Sequence, residues 1–277
     1  MADAKQDVPE ITGTLPLYKK PEPLNVQAHK GMGVKFGERP FEFLNETHFV
    51  PLTIGEIAAA AAHYPVIFLG DGRLPVAVMG LQQGSNLFVD PKTGQYEPLR
   101  YIPGFVRRYP FVAAIHSGER ERFTVCIDTQ SPLISKNPDR PFFNEDGELS
   151  EYSQNAVEFV RLYETEVMAS NEMIARLKEL DLFEQQTTQF QPRDAAGQPV
   201  GEPQTVASYW GISNDKLRAL PAETLAGLRD NMYLAVIYAH MISMAQWEFV
   251  IARAQARVAG AASVATPVTM SPPPPEA

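Results

Sequence analysis

The sequence predicts an α+β fold, with a curved antiparallel β-sheet in the N-terminal half packed with two long C-terminal helices. Three patterns carry this expectation. Between Tyr64 and Asp128, short apolar runs alternate with turn residues, the spacing of antiparallel hairpins. Two later stretches, one after Ser150 and one after Pro221, repeat apolar residues at three- and four-residue steps, which is the helical period. The βα alternation of a doubly wound parallel sheet is missing from the first half.

The chain has 277 residues, enough to bury a sizeable core, and its 44% hydrophobic and 21% charged content is that of a globular protein. A net charge of −9 argues against sequence-independent nucleic-acid binding, which needs a basic face. Arg107 and Arg108 form the one interior basic pair. The single cysteine, Cys126, cannot form an intrachain disulfide, which suits a reducing, cytoplasmic setting. No apolar h-region follows the N-terminus, so no export signal is expected. Residues 232–252 are long and apolar enough to span a bilayer, but they include His240, Gln246 and Glu248. They read as a buried core helix, so no transmembrane segment is expected.

Taken in order, residues 1–23 are a proline-bearing polar arm with a basic pair, Lys19 and Lys20. The arm is expected to be flexible, and a single domain should occupy residues 24–259. Phe36, Phe41, Phe43, Phe49 and Val50, set among Gly31, Gly33, Gly37 and Pro40, indicate short strands and turns. Thr53 and Glu56 have the spacing of a capping box, so a helix should begin at Ile54 and end near His63, before Pro65. The Asp71–Gly72 pair between residues 66–69 and 75–79 is the strongest hairpin signal in the chain. Gly84–Ser85 marks a further turn, ahead of a strand over residues 87–89. A short helix is expected over residues 103–109, followed by strands at 111–115 and 123–128.

After a polar stretch, Ser150 opens an amphipathic helix that reaches about Leu182, with Phe159, Val160, Tyr163, Val167, Ile174 and Leu177 on its apolar side. Residues 187–204 are a long loop or hairpin, and residues 209–212 a brief extended piece that packs back on the core. Ser213 caps a short helix, and Pro221 starts a last helix that runs to about Val258. Residues 260–277, rich in proline and alanine, form a disordered tail.

The most specific stretch is residues 101–111, where two arginines sit between Pro103 and Pro110 among aromatic residues. Arg108, next to the chain's re-entry into the sheet, is expected to be buried and paired with Asp71, Asp90 or Asp128. Arg107, one position earlier, should point elsewhere and be free for a partner. If the pair instead serves a ligand, it would clamp a carboxylate or phosphate. His29 is the strongest histidine candidate, because Gly31 and Gly33 let backbone approach a ligand closely. His240 is expected to be buried with one partner. The ligand-binding candidates are therefore His29, Asp71, Arg107, Arg108 and Asp128.

No P-loop, nucleophile elbow, His-Glu-x-x-His or paired Cys-x-x-Cys pattern is present, so these patterns mark no cofactor, metal or catalytic residue. The loop at residues 144–147 resembles part of a calcium loop, but Ser153 stands where the bidentate glutamate belongs.

Several motifs together resemble the SapC family, named for a gene of bacterial surface-layer systems. They are Tyr64-Pro-Val-Ile-Phe68, Leu74-Pro-Val-Ala-Val-Met-Gly-Leu81, Asn86-Leu-Phe-Val-Asp90, Tyr101-Ile-Pro-Gly-Phe-Val-Arg-Arg-Tyr-Pro-Phe111, Cys126-Ile-Asp128 and Pro141-Phe-Phe-Asn-Glu-Asp-Gly147. The similarity extends from about Leu24 to Arg257; Phe142-Phe143 stands where the family more often has Leu-Phe. It implies a non-catalytic accessory or binding protein of a cell-envelope, surface-layer or secretion system, with a protein partner. The alternative is a small-molecule-binding enzyme or enzyme partner with a site around His29, Arg108 and a nearby aspartate.

Overall fold

The structure is a computed structural model and describes residues 16–116, 119–191, 198–199 and 201–258. The fold is α+β. Strand β1 (Pro21–Pro23) leads to a helical turn, α1 (Val26–His29), where Asn25 accepts the Ala28 N–H at 2.9 Å. β2 (Gly33–Val34) and β3 (Phe49–Pro51) flank a 3₁₀ turn at Glu42–Leu44. Helix α2 (Ile54–Ala61) starts where the capping-box spacing places it, with Glu56 Oε2 accepting the Thr53 N–H at 3.1 Å. β4 (Val66–Leu69) and β5 (Leu74–Val78) form the expected hairpin, closed by residues 70–73, with Leu69 opposite Leu74.

Next come the short helix α3 (Gly104–Arg107) and a second hairpin of β6 (Phe111–His116) and β7 (Glu119–Asp128). β8 (Ile134–Ser135) and β9 (Arg140–Pro141) are two residues each. The 29-residue helix α4 (Glu151–Glu179) is capped by Ser150, whose Oγ accepts the Ser153 N–H at 3.2 Å. A long hairpin, β10 (Phe183–Phe190) and β11 (Gln204–Ile212), precedes α5 (Asn214–Arg218), α6 (Ala222–Asp230), α7 (Tyr233–Ser243) and α8 (Gln246–Val258).

Among the described residues the strands make three antiparallel sheets, ordered β1-β7-β6, β10-β11-β4-β5-β3 and β8-β2-β9, in place of one sheet drawn from the first half. The largest recruits β10 and β11 from the second half, with Trp210 opposite Phe68. In the smallest, a side chain on Gly33 would collide with the Arg140 carbonyl oxygen, so glycine alone lets β2 fit beside β9. Residues 87–89 do not form the expected strand. Their ladder is a single bridge between Val89 and Tyr96, and the Phe88 N–H goes to the Asn86 side chain at 2.8 Å.

Helix α2 lies against both α4 and α7, and α4 also packs on β6. Ser170 of α4 accepts the Ile54 N–H at 2.9 Å, so one helix caps another. His240 of α7 ties that helix to two strands: its Nε2 accepts the Ile212 N–H at 3.1 Å, and its Nδ1 lies 2.7 Å from the Val66 carbonyl oxygen. Ser243 completes the junction, accepting the Val66 N–H at 2.9 Å and donating to His240 O at 2.6 Å. One partner was expected for His240; the fold supplies two.

Two boundary expectations are corrected. The arm placed at residues 1–23 is docked from Tyr18 onward, because the Tyr18 ring is buried and β1 pairs with β7, Pro21 opposite Asp128 and Pro23 opposite Cys126. The last helix is broken once and tightened once. Met232 takes a left-handed conformation (φ 62°) between α6 and α7, and i→i−3 bonds at Met244 and Ala245 tighten the chain between α7 and α8. Residues 233–257 form one helical segment long and apolar enough to cross a membrane. Instead of a helix buried all round, it has one face in the core and one apolar face outside. The tail expected at residues 260–277 lies outside the described residues.

Candidate functional site

The Pro103–Pro110 turn holds two layers of charge, one around the half-exposed Arg107 and one around the buried Arg108. In the outer layer, Glu56 of α2 is buried and its Oε1 accepts the Gly104 N–H and, at 2.9 Å, the Tyr101 hydroxyl. Its Oε2 accepts the Thr53 N–H and hydroxyl, each at 3.1 Å. The missing side chain of Gly104 makes this approach possible: a Cβ there would stand 3.1 Å from Glu56 Oε1 and 3.2 Å from the Tyr163 ring. Arg107 lies over this carboxylate at 3.8 Å and remains half exposed. Its Nε donates to Ile102 O at 3.0 Å, and its guanidinium carbon sits 5.1 Å from the Phe159 ring and 5.8 Å from that of Tyr101. Burial and the Glu56 charge push the Tyr101 hydroxyl up to about 12, with Arg107 pulling the other way.

The inner layer is Arg108. Its guanidinium is buried and donates to Glu164 Oε1 of α4 at 2.8 Å. Three rings surround it: Tyr163 at 4.3 Å, Phe105 at 4.8 Å and Tyr18 at 5.8 Å. Burial opposes the arginine's charge, but the Tyr18 and Tyr163 oxygens and the Glu164 carboxylate outweigh it and raise the pKa. Burial also raises the pKa of Glu164, partly offset by Arg108.

Asp128 is fully buried at the end of β7 and works on backbone. Its carboxylate accepts the N–H groups of Lys19 (3.0 Å), Lys20 (2.8 Å) and Gln130 (3.2 Å), and the Tyr109 hydroxyl at 3.3 Å. Tyr18 donates to Phe111 O at 2.8 Å and stands edge-on to Phe105 and Tyr109. Burial pushes the Tyr18 hydroxyl up to about 12, against the opposing pull of the Arg108 charge. Asp128 and Arg108 therefore hold the same stretch of chain, one through its amides and the other through its ring. Asp128→Ala is expected to lose roughly 2–3 kcal/mol, the scale of hydrogen bonds to a charged group. It should also make the Lys19 and Lys20 amides exchange rapidly; hydrogen exchange checks this, and unchanged protection at both would contradict the clamp.

The expected partners of Arg108 are corrected, because Asp71, Asp90 and Asp128 all have other work. Asp71 is exposed at the β4–β5 tip, 4.0 Å from Arg73, and its carbonyl accepts Lys178 Nζ at 2.6 Å. Asp90 caps its own turn through the Lys92 and Thr93 N–H groups, which lower its pKa. His29 is buried at the end of α1, with Nδ1 turned back to the Asn25 N–H at 3.2 Å and the Asn25 carbonyl at 3.1 Å. Of the five candidates, only Arg107, Arg108 and Asp128 share one neighbourhood. Burial drives the Cys126 thiol up to about 11. Among the described residues, no three His, Cys, Asp or Glu side chains gather as a metal-ion set.

Four residues of this region were missed as site residues. Glu56 was legible as a cap but not as an acceptor for Gly104 and Tyr101. Tyr18 lay in a segment read as an arm, and Glu164 follows Tyr163 on a helix face with nothing to single it out. Leu99 carries no motif, yet it is 98% exposed in a left-handed backbone conformation (φ 63°), two residues before Tyr101. A single exposed leucine is ordinary on a protein surface; the left-handed backbone is what sets this one apart.

A family model described as SapC matches residues 24–249 of the 277-residue chain; the chain belongs to the SapC family. No curated protein and no solved structure matches it.

Proposed function

We propose that this SapC-family protein is a non-catalytic accessory or binding protein of a bacterial cell-envelope, surface-layer or secretion-related system, acting from the cytoplasm on a protein partner. One observation carries the reading. The ionisable groups that could do chemistry around the Pro103–Pro110 turn are engaged by the fold itself, Arg108 by Glu164, Asp128 by three backbone amides and Glu56 by four donors. What faces outward is a contact surface: the half-exposed Arg107 over Tyr101 and Phe159, with Leu99 projecting from the preceding turn. Exposed arginine and aromatic groups are typical anchors of protein interfaces.

The alternative of a small-molecule site at His29, Arg108 and an aspartate has less support. His29 is occupied with its own helix start, and the aspartate near Arg108 holds the docked chain. The test is affinity capture from native lysate with the unmodified protein, Arg107→Ala and Leu99→Asp, read by mass spectrometry for proteins and small molecules. The expected result is an envelope or secretion protein enriched by the unmodified chain and lost with either substitution. A retained small molecule, with no protein dependent on Arg107 or Leu99, would overturn the reading in favour of the alternative.

A further inference from the structure

The outer face of the α7–α8 segment carries a second pattern. Ile237, His240, Ser243, Trp247 and Val250 are buried against the core. On the opposite side, Ala235, Tyr238, Ile242, Ala245, Phe249 and Ala252 follow one another at steps of three, four, three, four and three, and all six are exposed. The large ones are well out in solvent: Tyr238 is 51% exposed, Ile242 70% and Phe249 57%. A run of apolar residues every 3.5 positions is the seam of two packed helices. Here it points away from the core, and no charged residue interrupts it.

We propose that this face is the interface of a homodimer, in which the α7–α8 segments of two copies pack antiparallel about a two-fold axis between Ile242 and Ala245. The seam is complementary to itself in that arrangement. Ile242 meets Ala245 of the partner subunit on each side of the axis, so a large side chain lies over a small one. Tyr238 then meets Phe249 of the partner subunit, an aromatic pair, and Ala235 meets Ala252 of the partner subunit, where small residues let the backbones converge. The charged side chain bordering the strip, the exposed Glu248, faces alanine at position 239 across the axis rather than its own copy.

A membrane surface fits this face less well. Interfacial helices flank their apolar side with free lysine or arginine for anionic lipid. The two arginines of α8 are turned back onto the protein, Arg253 to Leu87 O at 3.1 Å and to Glu97, and Arg257 to Val89 O at 3.2 Å and to Asn86 O. The chain as a whole carries a net charge of −9. A seam of 18 residues is roughly 27 Å long. An interface of that size is at the small end, and a dissociation constant on the order of micromolar is expected.

The test is sedimentation velocity over about 1–200 μM, bracketing a constant of that order. Mass should rise toward twice the monomer with concentration, and Ile242→Glu and, separately, Phe249→Ser should weaken association at least about tenfold. Both sites are exposed, so circular dichroism should be unchanged. Leu162→Glu, an exposed apolar site on α4, should dimerise as the unmodified chain does. Ala235→Cys with Ala252→Cys should form intermolecular disulfides on mild oxidation, since the two positions lie roughly 25 Å apart within one helix run. A monomer throughout the range, or a dimer indifferent to both seam substitutions, overturns the proposal. So does a monomer that co-sediments with phosphatidylcholine–phosphatidylglycerol vesicles and loses that binding in Ile242→Glu, which would make the face a membrane contact.

Discussion

Arg108→Ala is expected to destabilise the protein by about 3–5 kcal/mol, the usual result of leaving one member of a buried ion pair alone. The charge left behind is Glu164, whose side chain is 15% exposed and whose pKa burial already raises. The three rings around the guanidinium lose their filling at the same time, including Tyr18 of the docked arm. Arg107→Ala should lose under about 1 kcal/mol, because its guanidinium is half exposed, its contact with Glu56 is long at 3.8 Å, and four other donors already hold that carboxylate. Urea unfolding of both variants reads the difference directly. Arg108→Met combined with Glu164→Leu should recover most of the loss, since an apolar pair needs no desolvated charge. Equal small losses for Arg107→Ala and Arg108→Ala would refute the division of labour.

Acid should weaken the fold through His240 by about 3 kcal/mol between pH 6.5 and 4. The hydrogen bonds set its protonation: the Ile212 N–H can only donate, so Nε2 must be bare, and the Val66 carbonyl can only accept, so Nδ1 must carry the proton. The folded state therefore needs the neutral ring. Burial lowers the pKa to about 4, and the bond to Val66 opposes that only in part. The unfolded chain takes up its proton near pH 6.5 and the folded one near 4. Stability from this group is complete above 6.5, falls with pH through that window and levels off below 4. His240→Asn should be less stable at pH 7.5 by about 1–3 kcal/mol, because the Ile212 N–H loses its acceptor. Its stability should fall less steeply with acid than that of the unmodified protein. Parallel pH profiles from urea unfolding would contradict the assignment.

The sequence made some parts of this structure legible and hid others for physical reasons. Hairpins marked by Asp71–Gly72 and a helix opened by Ser150 were readable because turn chemistry and the 3.6-residue period act locally. Strand β10, Phe183-Glu-Gln-Gln-Thr-Thr-Gln-Phe190, was not, because Glu184, Gln186 and Thr188 supply most of its half-buried face and raise no apolar alternation. Met232 breaks the last helix without help from glycine or proline, so no local signal announces the break. At the candidate site, the burial of Arg108 was legible from its place beside Pro110, where the chain re-enters the sheet. Its partner was not, since Glu164 is 56 residues away and a helix presents several carboxylates of equal claim. His240 gave up its burial but not its second partner, which depends on β11 arriving beside β4.

The docked first strand also sets an order of events during synthesis. Lys20 and Asp128 are 108 residues apart, and translation at ~5–20 residues per second separates them by roughly 5–20 s. The residues made first thus wait, unpaired, for β7 to be made before they can take their place along its edge. A segment fused ahead of Met1 is carried through that late step, so it would be felt in the folding yield more than in the finished molecule.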